Sequence, residues 1–520
     1  GLGDVYKRQA HKGVSMEKKT LKIYFTSDTH GYVFPTDYRS AEECDIGLFK
    51  CVNQFHKDGN TLFIDGGDVL QGSPLCAFCH DSIGEASQFA EIMNCCGYDY
   101  VTLGNHDFNY GMEYLDSYLN ALKARCVCQN AAYEDGTVRF PSRIHVLENG
   151  LRIGIVGIVT DYVNVWEKPE HLTGLKISNP LEAAKEALQE LRGNVDITVC
   201  IYHGGFERDL ETGRILSNTT ENIAYQLCEA LEFDILLTGH QHMSITGQTV
   251  SGTFIVQPPD RGKSAVSIEV TVSNGQTNFE GKILSAGGVC DPSLLKKFES
   301  MEQGAQGWLD VVVGHLDKPL LPSPPLIMAA EGSEMATFFN EVQLAASGAE
   351  LSATSLANET WGLPQMVKRR DVLIAYPYTN TLTVLRVTGK ALREAMERSA
   401  EYFDLDEDRQ LCVSETFLKP KVEHYNYDYF SGVDYVVDVS RPHGKRITAL
   451  LRKGKPVLDE DEFTICLNSY RASGTGGYPS YVGCPIVKEI NTEISDLILG
   501  FFEKNPSLSI ETKKNFQVIF

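Results

Sequence analysis

The sequence of 520 residues lacks any apolar run of the about 18 residues that a bilayer-spanning helix needs. It also lacks an excess of positive charge, since 47 Lys and Arg stand against 69 Asp and Glu for a formal net charge of −22. A protein that grips a nucleic-acid backbone does so through broad basic surfaces, so this balance argues against a polynucleotide partner. Cysteine is not scarce, but the fourteen residues are spread without the dense short spacing of a secreted disulfide scaffold, and reduced thiols are expected. Cys76 and Cys79, followed by His80, have no second Cys pair to complete a structural zinc site. Internal repeats and low-complexity tracts are missing too. Residues 1–15 are polar and aperiodic, and no charged-then-apolar signal segment follows Met16. A leader outside the fold and a cytoplasmic, membrane-free protein are the expectations.

What is present is an ordinary globular composition, with 42% apolar, 10% aromatic and 22% charged residues. The chain is too long for one hydrophobic core, so two domains are expected. An acidic surface repels anionic ligands. A site for a phosphorylated ligand would therefore need concentrated local positive charge, such as metal ions.

From Leu21 the sequence alternates short β-branched apolar runs with polar loops and helical patterns, the grammar of an α/β fold. LKIYFTS, TLFIDGG, YDYVTLG, LRIGIVGIVT, DITVCIYHGG and FDILLTGHQH read as buried strands, and Leu181–Arg192 as an amphipathic helix. TFIVQPPD and SAVSIEVTVSNGQ suit a mixed or antiparallel closing sheet. DPSLLKKFESMEQGAQGWLDVVVGHLD reads as a helical stretch ending in the proline cluster KPLLPSPPL, a connector. The expected division is a metal domain over 16–290, a helical linker over 291–325 and an α+β domain over 326–520. In the last, GSEMATFFNEVQLAA and KALREAMERSAEYF read as helices, and RDVLIAYPYTNTLTVLRVTG and YVVDVS as strands.

Five of the apolar runs end in metal-type ligands: Asp28 and His30, Asp68, Asn105 and His106, His203, and His240 and His242. In open α/β sheets ligands bind beyond the carboxyl ends of the strands, so these segments would converge on one crevice. Carboxylate, imidazole and one amide, without thiolate, suit Mn, Fe, Zn, Co or Mg. Two such ions can clamp the attacking and leaving oxygens of an in-line displacement at phosphorus and activate a water at neutral pH. Singly each motif is weak; in order, each at a strand end, they point to a dinuclear phosphoesterase.

SDTHG, GGDVLQG, LGNHDF, YHGG and GHQH resemble the motif series of the calcineurin-like metallophosphoesterases, and more narrowly the two-domain bacterial family of 5'-nucleotidases and 2',3'-cyclic-nucleotide 2'-phosphodiesterases. The resemblance implies a four-layer α/β/β/α metal domain joined to an α+β nucleotide-binding domain. It implies that Asp28, His30 and His242 hold one divalent metal, that Asn105, His203 and His240 hold the other, and that Asp68 bridges them. His106 would be the catalytic histidine that meets charge developing on the phosphoryl oxygen or leaving group. Some nucleotidases carry Gln where this chain has His242. Typical 5'-nucleotidases carry an Asp paired with the catalytic histidine where this chain has Asn109, with Asp107 as a substitute partner. An arginine-bearing GGxR segment is also missing; the region reads SATSLANETWGLP.

In the second domain YPYTNTLTVLRVTGKALREAMERSAEYF resembles the cyclic phosphodiesterases, and NYDYFSGVDYVVDVSRP and NSYRASGTGGYP resemble the loops that sandwich the base in this family. Phe430 and Tyr470 are the matching aromatic positions, and Gly474 and Gly476 shape the pocket rather than form a P-loop, which would need a Lys. The expected reaction is hydrolysis of 2',3'-cyclic nucleotides, with 3'-nucleotidase activity, by hydroxide generated at the metal pair. A 5'-nucleotidase or UDP-sugar diphosphatase on the same scaffold is the alternative; a non-catalytic nucleotide-binding protein is a remote one.

Overall fold

A computed structural model describes residues 18–520 except 217, 218 and 513, so the expected leader lies outside the described residues. In chain order the strands that reach the site are β1 (Lys19–Thr26), β2 (Thr61–Asp65), β3 (Tyr100–Val101), β4 (Arg152–Val159), β5 (Ile197–His203) and β6 (Ile235–Thr238). β7 (Ser264–Ser273) follows them. β1, β2 and β3 pair in parallel in one six-stranded sheet, which β7 joins antiparallel to β1. β4, β5 and β6 pair in parallel in a second six-stranded sheet, which Thr253–Gln257 extends in parallel and Ile245–Val250 closes antiparallel.

Side chains alternate faces along a strand, and that alternation builds the layers. Ile23 and Phe25 of β1 meet Ile153 and Ile155 of β4 and Val199 and Ile201 of β5 in an apolar core between the sheets. Tyr24, between Ile23 and Phe25, turns outward to a second core that contains Phe89 of helix α1 (Ser87–Cys96) and Leu115 of α2 (Gly111–Ala121). Val156 and Cys200 turn the other way, toward Ala184 and Leu188 of α3 (Pro180–Leu191). Each buried Val, Leu, Ile or Phe side chain among them contributes about 1.5–3 kcal/mol. The result is the expected α/β/β/α arrangement.

After α4 (Glu299–Leu309), α5 (Glu334–Ser347) and α6 (Gly389–Ala400) pack on a five-stranded sheet. Its strands are β8 (Leu351–Ser355), β9 (Thr381–Thr388), β10 (Asp428–Ser431), β11 (Glu462–Asn468) and β12 (Ile486–Glu493), in the spatial order β10-β8-β11-β9-β12. Two expectations are corrected here. Val312–Leu316, read as part of the helical stretch, is a strand paired with Met366–Lys368 and Ser507–Leu508. Arg370–Ala375, read as a strand, lies in the helix Arg369–Ala375, whose first turn is capped by the Asp371 carboxylate accepting the Lys368 backbone N–H at 2.7 Å. Among the described residues no helix is long and apolar enough to cross a membrane.

Arg370 ties the second half to the first. Its buried guanidinium donates to the Tyr38 carbonyl oxygen at 2.7 Å and to Gln306 Oε1 of α4 at 2.9 Å.

Candidate metal centre

The carboxyl ends of β1, β2, β5 and β6 converge, as does the loop after β3. Five of the expected ligands, Asp28, His30, Asp68, His240 and His242, have left-handed backbones, with φ between 50° and 69°. Left-handed residues other than glycine are uncommon, and such strain persists where surrounding structure enforces it, characteristically at functional sites. Here backbone bonds cross-link the strained loops: the Asp28 N–H donates to the Gly67 carbonyl at 2.9 Å and the His30 N–H to the Asp68 carbonyl at 2.8 Å. Gly104 leaves room for the Asp68 carboxylate, which a Cβ there would strike.

The convergence is tight. His30 Nε2 lies 3.1 Å from His242 Nε2, His242 Nε2 lies 3.4 Å from Asp28 Oδ1, and His203 Nε2 lies 3.1 Å from Asp68 Oδ2 and 3.8 Å from Asp28 Oδ1. Asn105 Oδ1 is 3.0 Å from His240 Nδ1. Two sets of ligand atoms are close enough to share an ion: Asp28, His30 and His242, and Asp28, Asp68 and His203. The first coincides with the trio implied by resemblance. The second brings Asp28, not only Asp68, between the two groups.

The outer ring nitrogens are fixed by acceptors, as metal-binding histidines require. His30 Nδ1–H donates to the Gln71 carbonyl at 2.8 Å and His203 Nδ1–H to the Gly66 carbonyl at 2.6 Å. A carbonyl can only accept, so Nε2 of each neutral ring is left with its lone pair facing inward. His240 uses the other nitrogen: Nε2–H donates to Glu221 Oε1 at 2.9 Å, and Nδ1 faces inward. His203 Nε2 and Asp68 Oδ2 are fully buried and have no hydrogen-bond partner. Orphaned buried polar atoms are costly, and a divalent cation would satisfy both. The donor set therefore fits a metal.

Electrostatics agree. Burial opposes ionisation of Asp28 and Asp68, yet the neighbouring imidazoles, His203 foremost, hold both carboxyls well below the usual range. Burial also disfavours charge on His203, but Asp68 and Asp28 outweigh it and push His203 up to about 10. His30 is pulled down to about 4 by burial, with His242 and His106 adding repulsion.

His106 sits beside this cluster, its ring centroid 5.4 Å from that of His30, and its backbone N–H donates to Asp68 Oδ1 at 2.7 Å. Its Nδ1–H donates to Asn109 Oδ1 at 2.7 Å. Asp107 does not face it. The buried Asp107 carboxylate accepts the backbone N–H groups of Asp68, Val69, Leu70 and Gly104 at 2.8–3.0 Å, so it braces the Asp68 loop and is not a partner of the histidine.

A cavity of 1230 Å³ opens over the cluster and reaches into the second half, where Tyr378, Tyr425 and Tyr470 line it. Tyr470 is therefore where the sequence expects a base-stacking ring. Phe430 is not: it is 4% exposed, lies on β10 in the core of the second half and packs against Tyr435. Tyr425 faces the cavity instead. Gly474 and Gly476 stand behind the cavity wall. A Cβ at Gly476 would strike the buried Arg471 and Asn426 side chains, and Arg471 in turn donates to the Tyr425 carbonyl at 3.0 Å and to Asp428 at 2.9 Å. Sequence reasoning missed Glu221, Trp166, which stacks on His240 at 5.5 Å, and Tyr425, because none belongs to a motif.

Two family models match the chain: calcineurin-like phosphoesterase over residues 21–244 and the 5'-nucleotidase C-terminal domain over residues 312–483. A Staphylococcus aureus structure named for 5'-nucleotidase, in complex with alpha-ketoglutarate, is 33% identical with a TM-score of 0.88, covering 96% of this chain and all of the other. The chain belongs to this two-domain phosphoesterase family. It is a hydrolase of phosphoester bonds, and calcineurin-like phosphoesterases work with divalent metals. The trifunctional nucleotide phosphoesterase protein YfkN of Bacillus subtilis is 25% identical over 96% of this chain, which spans 39% of the length of YfkN. A 2',3'-cyclic-nucleotide 2'-phosphodiesterase/3'-nucleotidase of Haemophilus influenzae is 24% identical over 96% of this chain and 87% of its own length.

Proposed function

We propose that the chain hydrolyses 2',3'-cyclic nucleotides at the 2' ester and then removes the 3' phosphate, at a pair of divalent ions. The observation that carries this reading is the convergence of Asp28, His30, Asp68, His203 and His242 in two ion-sized groups, with the Asn105–His240 pair among the residues lining the cavity above them and tyrosines on its far wall. In this reading Asp28, His30 and His242 hold one ion, Asn105, His203 and His240 hold the other, and Asp68 lies between them. When bound, the ions supply Lewis-acid activation of a water and positive charge for the phosphoryl oxygens. Glu221 and the Gln71 and Gly66 carbonyls keep the imidazoles aimed. His106, with Nδ1 anchored, presents Nε2 to the phosphoryl or leaving-group oxygen. Tyr470 and Tyr425 offer ring faces to the base, a sequence-tolerant contact.

The cyclic ester is preferred because Asn109 departs from the nucleotidase pattern and because relatives spanning most of this chain are named for that activity. Hydrolysis of 5'-nucleotides is the second reading, favoured by the 33% identical structure named for it. Metal-reconstituted protein assayed on 2',3'-cAMP, 3'-AMP, 5'-AMP and UDP-glucose separates the two. The expected result is a higher kcat/KM on 2',3'-cAMP; faster turnover of 5'-AMP or UDP-glucose rejects the preference.

A further inference from the structure

His106 has an uncharged anchor, Asn109, where the family resemblance implies an aspartate in typical 5'-nucleotidases, yet a carboxylate stands one hydrogen bond away. Asn109 Nδ2 donates to Glu167 Oε1, and Glu167 Oε2 accepts from His171 Nδ1–H at 2.8 Å. The Glu167 side chain is 7% exposed. Only an NH2 group can face a carboxylate, so Glu167 fixes which way the Asn109 amide points and leaves Oδ1 toward His106. That oxygen accepts from His106 Nδ1 at 2.7 Å and from the Thr379 hydroxyl at 3.1 Å, so both of its lone pairs are engaged. Thr379 belongs to the second half of the chain, just before β9. A carboxylate bonded to one end of an amide polarises it and strengthens the acceptor at the other end.

We propose that Glu167 is a positioning residue for catalysis: through Asn109 it supplies the negative charge and the orientation that an aspartate in place of Asn109 would give His106 directly. Thr379 completes the anchor only when the two halves of the chain are together. Glu167 sits in the turn after the short helix Val163–Trp166, 58 residues from Asn109 in sequence, and no motif announces it. The proposal rests on the reading that His106 is catalytic.

A polarity swap tests it. In the wild type the Asn109 amide donates to the Glu167 carboxylate. Combining Asn109→Asp with Glu167→Gln keeps that hydrogen bond but reverses its direction, with the charge moved next to the histidine. Metal-loaded wild type, Glu167→Gln, Asn109→Asp and the double variant are compared on 2',3'-cAMP, with His106→Ala as reference and thermal melts of each. Glu167→Gln should lower kcat by ~10-fold at unchanged KM, and Asn109→Asp, which sets two carboxylates against each other, by ~10²-fold. The double variant should return to within about threefold of wild type. Losses that simply multiply in the double variant overturn the relay, as does a Glu167→Gln kcat equal to wild type. Should Asn109→Asp fail to fold, the kcat of Glu167→Gln alone decides. A His106→Ala variant with wild-type kcat would instead overturn the catalytic reading of His106, so the two failures are told apart.

Discussion

The two halves of the chain meet the same cavity with different means. In the first, the candidate ligands stand at the ends of buried parallel strands, five of them on left-handed turns, and the imidazoles of His30, His203 and His240 are each locked from behind by a carbonyl or carboxylate. In the second, the cavity-lining tyrosines come from a loop and two short helical turns around the sheet and are held indirectly. Arg471, 1% exposed, ties the Tyr425 carbonyl and the Asp428 carboxylate together beneath them. Rigid placement suits groups that must hold ions a few ångströms apart, whereas an aromatic wall needs only an approximate plane. The first half should therefore fail sharply when altered and the second gradually.

That contrast can be broken at three positions. Asp68→Asn removes the charge that the proposed arrangement sets between the two ions and should lower kcat by more than ~10²-fold with the fold intact by circular dichroism. A loss confined to KM would place Asp68 outside the chemistry. Tyr470→Ala should act on KM, since a stacked base contributes about 1–3 kcal/mol, a ~5-fold to ~150-fold effect, while kcat changes little. Equal loss with nucleotide and with p-nitrophenyl phosphate, which has no base, would contradict the stacking role. Phe430→Ala should touch turnover least. It should destabilise the protein by about 3–5 kcal/mol in denaturant or thermal unfolding, with KM unchanged in the folded fraction. A raised KM at unchanged stability would put Phe430 back at the pocket.

The same contrast explains what can be read from sequence. Strands buried on both faces appear as continuous apolar runs, so the six runs from LKIYFTS to FDILLTG and the layers they build are legible, and the ligand types at their ends stand out against that background. Asp107 misleads because an acid next to a histidine has the same sequence signature whether it faces the ring or accepts four backbone N–H groups. Phe430 misleads for a related reason: an aromatic on a strand serves a core as readily as a ligand. Arg370–Ala375 has the β-branched content of a strand, yet it forms a helix capped by Asp371 that buries Val372 and Ala375. Glu221 and Glu167 are invisible in sequence, since each acts through a residue tens of positions away or outside any motif spacing.

The central claim is that the strand-end cluster holds a metal pair that the reaction requires. Metal-free protein titrated with Mn2+, with bound ions counted by mass spectrometry while 2',3'-cAMP hydrolysis is followed, tests it directly. The account predicts two ions per chain at saturation, activity that rises with their binding and complete loss on chelation. A single bound ion at full activity, or undiminished turnover in excess EDTA, would contradict it.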